Sequence, residues 1–344
     1  MKLFYECNFF EDELEIETTE FKTTQNELRL AHEIAPDKYS FTKDLIEYRC
    51  RWEKQSDWDS SRPTIVIPTK DQHSLVSFTI SNLKDNNIDR HCNIIIIDDR
   101  STEDIRTLAT ESGLSYLRVD NDKGFNFSML NNIAMKICDC LGVKEAILWN
   151  SDLWVAKEAY LLKILKKHRK ENSIISGTKL LYPPAEMSLG DTETENIKKH
   201  FPHMIGKQWR ETIQFGGDSW INTGNGHIKI SPLHYKRFCK HTDSRVNCDR
   251  GASFVTGAFQ LWNVSKFIEL GGLNPSLSKN FQDIDLCLKA ISNEIIPMYF
   301  GKDIFFFHDE SPTLMKEGKH DKQMTNDLIL FGKIWNEKLP SLIF

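Results

Sequence analysis

Four short apolar runs, rich in β-branched residues and separated by helix-compatible segments, constrain the fold of this chain more than any other feature. They are TIVIPT (64–69), NIIIID (93–98), LSYLRV (114–119) and EAILWN (145–150). A half-buried strand alternates apolar with polar residues. An unbroken run such as Ile94 to Ile97 instead suits a strand covered on both faces, as in a parallel sheet between helices. The intervening segments 72–85, 103–112 and 127–140 read as helices. The alternation predicts right-handed βαβ units and a doubly wound α/β architecture, its sheet mostly parallel and flanked by helices. Sheets of that kind gather ligands at the carboxyl ends of their strands. Here those ends carry Thr69, the pair Asp98 and Asp99, and the stretch from Asn150 to Asp152.

Outside this block the texture differs. Residues 1–61 are acidic and mixed in pattern, end in WEKQSDWDSSRP, and read as an N-terminal extension. Residues 180–250 hold Pro183 and Pro184 and many Gly, Asn and Asp residues, which predicts loops and short strands. SFVTGAFQLW (253–262) reads as strand, Val264 to Leu270 as helix, and GGLNPSL (271–277) as a turn. A helix is expected to start near Asp283, with strands at 295–300 and 303–307. In the last segment, 320–337, Met324, Leu328, Phe331 and Trp335 recur at helical spacing, which makes an amphipathic helix with a core-facing stripe.

Charge and cysteine usage narrow the partners. The 344 residues carry 49 acidic and 44 basic side chains, a net charge of -5, without the basic excess of a nucleic-acid binder. A polyanionic small molecule stays open, because a metal ion can supply positive charge locally. The eight cysteines, at 7, 50, 92, 138, 140, 239, 248 and 287, form no CxxC pair, which argues for reduced thiols and against a zinc site. The opening MKLFYECNFFEDELE lacks the basic and apolar regions of a signal peptide. No apolar run approaches the roughly 18 residues that span a bilayer. A cytoplasmic location is the default expectation.

Four places combine residue types suited to chemistry. In DDRST (98–102) two adjacent acids end a strand and repel each other. One can accept hydrogen bonds from a nucleobase and the other from backbone amides, or Asp99 or Ser101 simply caps the next helix. In LWNSDLWV (148–155), Asn150 and Asp152 point the same way if the segment stays extended. Their hard oxygens suit magnesium or manganese, and such an ion can bridge a diphosphate. In FQDIDLCLKA (281–290), Asp283 and Asp285 stand where the unpaired amides of a helix start favour carboxylates. One of the two fits a general base that takes a proton from a hydroxyl. In IFFFHDES (304–311), His308 is either a hydrogen-bonded structural group or, beside Asp152, a metal ligand.

As a set, these segments resemble glycosyltransferase family 2, in its bacterial polysaccharide-assembly branch. The resemblance runs from Thr64 to Trp335 and rests on TIVIPTKDQ, IIIIDDRSTED, KGFNFSMLNNIA (123–134), ILWNSD, VTGAFQLW, GGLNPSL, FQDIDLCLK and FFFHDESPT. It implies a GT-A fold over 62–344, with a nucleotide-binding half at about 62–180, an acceptor-side half at about 181–315 and a C-terminal helix at about 320–337. It also implies an inverting transfer of a hexosyl or deoxyhexosyl group from a nucleoside diphosphate sugar to a glycan or lipid-linked glycan. Peripheral contact with the inner membrane is the accompanying expectation. By the same resemblance Asp283 is the general base. Thr69, Asp99, Asn126, Asn131, Asn150 and Asp152 face the donor, and Gly257 and Asp285 lie on the acceptor side. Asp152 and His308 hold Mn2+ or Mg2+. Two positions depart from the family pattern: Asn150 replaces the first acid of the metal motif, and Gln282 replaces an acid before the base. They support one alternative, a catalytically inactive sugar-nucleotide-binding or scaffold subunit. A nucleotidyltransferase would need a basic glycine-rich phosphate loop, and the sequence has none. The segment IQFGGDSWINTGNGH (213–227) resembles a glycine-rich stretch of some members, and no role follows for it.

Overall fold

The computed structural model describes residues 19–20, 49–120, 124–187, 197–199, 201–223, 227–309 and 320–342. Most of the N-terminal extension, the start of KGFNF, the GNG of 224–226 and the end of HDES therefore lie outside the described residues. The chain divides into two compact units. One comprises Met1–Ser151 with Leu261–Leu286, and the other Asp152–Gln260 with Cys287–Phe344.

The first unit is built on strands β1 (Thr19–Glu20), β2 (Arg49–Glu53), β3 (Thr64–Thr69), β4 (Asn93–Asp98), β5 (Ser115–Asp120) and β6 (Glu145–Trp149). Their spatial order is β1-β2-β5-β4-β3-β6, followed by the strand Phe259–Asn263. Strands β5, β4, β3 and β6 run parallel, as crossover helices require. Strand β2, from the stretch read as an extension, closes the β5 edge antiparallel, with Cys50 opposite Val119 and Trp52 opposite Leu117. Every residue of β3 and β4 is buried. A fully buried isoleucine contributes roughly 1.5–3 kcal/mol relative to exposure, so Ile94 to Ile97 anchor the sheet. The doubly wound, mostly parallel α/β architecture expected from the sequence is present.

Helices α1 (His73–Asp85), α2 (Ile105–Glu111) and α3 (Phe127–Cys140) are the crossovers. Helix α3 packs on β3, β4 and β6 and also against the helix Val264–Glu269. Its N-terminal half is tied to the turn at 271–277 by buried polar bonds. Asn132 both donates to the Leu273 carbonyl (2.8 Å) and accepts from the Leu273 N–H (2.9 Å). Ser128 donates to the Leu277 carbonyl at 2.9 Å. Gly272 makes this junction possible. Its φ is +68°, and a methyl built on it would lie 2.6 Å from Asn132 Oδ1.

The second unit holds β7 (Leu153–Val155), α4 (Glu158–Lys170), β8 (Ile175–Thr178), β9 (Leu180–Leu181), β10 (Ile213–Phe215), β11 (Asp218–Asn222), β12 (Ile230–His234) and β13 (Asp249–Gly251). After β14 (Phe259–Asn263) come β15 (Met298–Phe300) and β16 (Phe306–His308). Strand β15 pairs parallel with β8 and antiparallel with β13. A separate four-stranded sheet has the order β10-β9-β16-β7, and β11 and β12 form a hairpin. The expected strand over 253–262 is confined to its end, because Ser253 to Ala258 run as a loop and turn. The C-terminal helix spans His320–Trp335 and buries Phe331 and Trp335, while Met324 and Leu328 are half-buried. Among the described residues no helix is long and apolar enough to cross a membrane. Each cysteine among them is a free thiol.

Lys179, between β8 and β9, is fully buried and donates to the His241 carbonyl (2.8 Å) and Asn247 Oδ1 (2.9 Å). Burial pulls its pKa down to about 8. An unfolded chain keeps that proton up to the ordinary lysine value near 10.5, so folding releases it between those limits and stability rises with pH across that window. Lys179→Met should flatten this rise in urea unfolding measured from pH 7.5 to 10, and an unchanged slope would remove Lys179 as its source. Gly272→Ala should cost about 1–3 kcal/mol more than Gly142→Ala, which shares a positive φ but has open space around it. Denaturant midpoints of the two variants compare them directly.

Candidate functional site

In the first unit, the loops after β3 and β4 are knitted into one polar ledge. Asp98 is fully committed to it. One oxygen accepts the Ser101 backbone N–H at 2.7 Å, and the other accepts the Tyr116 hydroxyl at 2.5 Å and an Arg118 N–H at 3.2 Å. Burial, and then the Asp98 carboxylate, push the Tyr116 pKa above its ordinary value. Asp71 receives the Thr102 backbone N–H (2.7 Å) and hydroxyl (2.9 Å), and its own N–H donates to Ser101 Oγ. Burial works against the Asp71 charge, but these donors outweigh it and hold the carboxyl below its usual range. Asp71, Gln72 and Arg100 all have positive φ, between 49° and 65°. Non-glycine residues reach that region at a cost of order 1–3 kcal/mol each, and such strain concentrates at binding loops.

The two acids of DDRST therefore differ. Asp98 is a framework acceptor, whereas Asp99 is buried beside the Lys70 ammonium, at 3.3 Å. Helix α2 is capped by Asp104, which accepts the Thr107 N–H at 3.0 Å, so neither Asp99 nor Ser101 is its cap. Thr69 is buried and donates to the Asp71 carbonyl at 3.2 Å. Asn126 caps α3, accepting the Met129 N–H (3.0 Å) and donating to the Pro275 carbonyl (2.8 Å). Asn131 is buried one turn on and donates to the Phe127 carbonyl. Its Oδ1 is buried with no hydrogen-bond partner.

The helix Gln282–Ile291 opens with Asp283 and Asp285 in its first turn. Asp285 is fully buried, while Asp283 is half-buried. Phe281, immediately before the helix, has φ 65°, an unusual conformation for so bulky a residue. The bend starts the helix at Gln282 and sets Asp283 among its first amides, where the dipole favours the ionised carboxylate.

At the start of the second unit the chain turns. Strand β6 ends at Trp149, and Ser151 and Asp152 form a turn before β7. The Ser151 carbonyl accepts the hydroxyl of Thr79 on α1 at 2.5 Å. Asn150 and Asp152 consequently do not share an extended segment, and the alignment expected from one is absent. Asp152 meets a different partner. Strand β7 pairs antiparallel with β16, with Leu153 opposite His308, and the Asp309 N–H donates to the Asp152 carbonyl at 2.9 Å. The ladder brings His308 Nε2 to 3.2 Å from Asp152 Oδ1. Their side chains are only 7% and 8% exposed, so their interaction is shielded from water. On its other side, His308 Nδ1 lies 2.8 Å from Gln214 Nε2. Gln214 comes from the IQFGG segment, and nothing in its residue type marked it. Gly257 lies in a buried turn leading into β14.

Among the described residues no three His, Cys, Asp or Glu side chains converge as a metal-binding group. Asp152 and His308 alone make up a fitting half-site. Ligands about 2.1 Å from one ion and at right angles lie roughly 3 Å apart, close to the spacing of this pair. An oxygen and an imidazole nitrogen suit a hard to borderline divalent cation.

The division of labour between the adjacent acids can be tested by stability alone. Asp98→Ala leaves Tyr116, Arg118 and the Ser101 amide short of an acceptor and should cost about 2–4 kcal/mol. Asp99→Ala should cost clearly less in the same urea titration, and equal losses would put both acids in the framework.

With this geometry in place, comparisons with known proteins become informative. Residues 64–224 match the sequence model of a family described as Glycosyl transferase family 2. No curated protein gives a significant match. Similar solved structures include the mannosyltransferase PcManGT from Pyrobaculum calidifontis, in complex with GDP-Man and Mn2+. It is 11% identical, with 86% of this chain and 69% of that one covered and a TM-score of 0.45. Residues 1–349 of S. aureus TarS in complex with UDP-GlcNAc are 10% identical, with 80% and 67% covered and a TM-score of 0.47. The match to the model described as Glycosyl transferase family 2 thus spans residues 64–224, a little under half of the chain.

Proposed function

We propose that this protein is an inverting glycosyltransferase that moves a sugar from a nucleoside diphosphate sugar to a hydroxyl of a glycan or lipid-linked glycan. The observation that carries the reading is the meeting of Asp152 and His308, 156 positions apart in sequence, in one shielded pair 3.2 Å across. The family resemblance assigns metal binding to these two residues, and their spacing and donor types fit the assignment. Asp152 and His308 would hold Mn2+ or Mg2+, which when bound offsets the charge of the departing diphosphate. The remaining ligands would come from the diphosphate and water, as magnesium commonly allows.

The protein's own side chains supply the rest. On the donor side, Thr69 and Asp99 receive the nucleoside, with Asp99 oriented by Lys70 while Asp98 fixes the ledge. Asn126, Asn131 and Asn150 complete the donor side of this reading, Asn126 through the cap that positions α3. On the acceptor side, Gly257 and Asp285 shape the site and Asp283 is the base. Asp283 takes the proton of the acceptor hydroxyl as its oxygen bonds to the anomeric carbon. The bond from that carbon to the diphosphate oxygen breaks, the electron pair leaves with the diphosphate, and configuration inverts. We place this domain at 62–344 and the protein in the cytoplasm, in peripheral contact with the membrane where a lipid-linked acceptor resides.

Asp283→Asn should keep donor binding, read as a thermal shift, while lowering turnover roughly 10²-fold or more. Near-normal turnover would take Asp283 out of the base role. A panel of nucleotide sugars, each with and without Mn2+, finds the donor, because a ligand that binds only the folded state raises the melting temperature. Donor binding without transfer or hydrolysis on a broad acceptor panel would instead favour a non-catalytic subunit.

A further inference from the structure

The contact between Gln214 and His308 has a chemical consequence. Gln214 reaches His308 because of a break in sheet register. In the pairing of β10 with β9, Ile213 lies opposite Leu181 and Phe215 opposite Leu180, so two steps on one strand match one on the other. Gln214 is the extra residue of this bulge. Bulges re-aim side chains and recur beside functional sites. The side chain is 1% exposed, and its Nε2 lies 2.8 Å from His308 Nδ1. Its Oε1 is equally buried and has no hydrogen-bond partner.

A neutral imidazole has one N–H and one lone pair, and the partner of one nitrogen decides what the other offers. When the Gln214 N–H donates to Nδ1, the proton sits on Nε2 and points at Asp152 Oδ1. That state is satisfied electrostatically but gives a cation no nitrogen. When the amide turns over, Oε1 accepts the Nδ1–H, and the Nε2 lone pair faces Asp152. Two electron-rich atoms 3.2 Å apart then need a cation between them. A carboxamide serves both states by a half-turn, whereas a carboxylate can only accept and an aliphatic side chain does neither.

We propose that Gln214 is a positioning residue that sets the tautomer of His308, its amide turning over to present the Nε2 lone pair whenever a divalent cation binds with Asp152. This rests on the metal reading of Asp152 and His308 proposed above. The histidine's second nitrogen is held by a partner that both fixes the ring and selects the ligand atom, and losses of 10–100-fold in metal affinity follow when such partners are removed.

The test uses the full-length protein labelled with 15N-histidine, with His308 assigned from the signals lost in His308→Gln. The spectrum should show the Nε2–H form without metal and the Nδ1–H form with saturating Mg2+. Mn2+ affinity, measured by electron paramagnetic resonance with the metal alone, should fall roughly 10–100-fold in Gln214→Leu and stay within about threefold of wild type in Gln214→Glu. Gln214→Glu should also hold His308 in the Nδ1–H form before any metal is added, which keeps the idea testable if the leucine variant does not fold. Wild-type affinity in Gln214→Leu, or an Nε2–H histidine in metal-free Gln214→Glu, would overturn the role of Gln214 while leaving the metal pair standing. A wild-type protein that binds no Mn2+ would sink both.

Discussion

Burial of β3 and β4 on both faces is the constraint from which the rest of the first unit follows. With Ile65 to Ile67 and Ile94 to Ile97 covered above and below, neither strand can slip in register without exposing part of its apolar run. The two strands are matched residue for residue, Thr64 with Asn93 through Thr69 with Asp98. Their polar ends therefore emerge at the same level. The ledge of Asp71, Asp98, Asp99, Ser101 and Thr102 is a product of that alignment. Asp98 then converts an edge of repelling carboxylates into a fixed surface by absorbing three donors, one of them a guanidinium.

The second unit reaches its pair of interest by other means. No long apolar strand delivers Asp152 or His308. Two three-residue strands do so, and their ladder is just long enough to fix which residues are opposite. Short strands hold little hydrophobic energy of their own. Their precision comes from neighbours: Phe306 stacks on Phe259 with ring centres 5.0 Å apart, and β16 also pairs with β9. A buried aspartate–histidine contact in such a place is a polar commitment the sheet must support, since unsatisfied buried groups cost roughly 1–3 kcal/mol apiece.

These two modes of construction explain what could be read from the sequence. The runs at 64–69 and 93–98 were legible because continuous isoleucine has one good solution, and their observed bounds match. The helix at 127–140 was legible as a helix-compatible segment between two strand runs, while the capping role of Asn126 emerged only from the structure. The three-residue strand β7 was not, since a run of three carries no periodicity, whereas β16 overlaps the strand expected at 303–307. LWNSDLWV invited an extended reading, yet the Thr79 hydroxyl draws the Ser151 carbonyl toward α1 and the chain turns there. Helix Glu158–Lys170 was not among the expected elements, although its buried Leu161, Ile164, Leu165 and His168 recur at helical spacing within a strongly charged stretch. Gln214 was illegible in principle. Its importance comes from a bulge, and a bulge is a property of two strands considered together.

The Asn132–Leu273 clasp has a consequence for where this unit begins and ends as a physical object. The matched family segment stops at residue 224, yet α3 finds its buried polar partners at 273, 275 and 277. A polypeptide cut at the end of that segment would leave Asn132 and Ser128 facing unmet bonds in an apolar interior, and would strip the cover from one side of α3. The sequence signature and the cooperative folding unit are therefore different lengths. The turn at 271–277, far beyond the end of that segment, completes the polar contacts of α3.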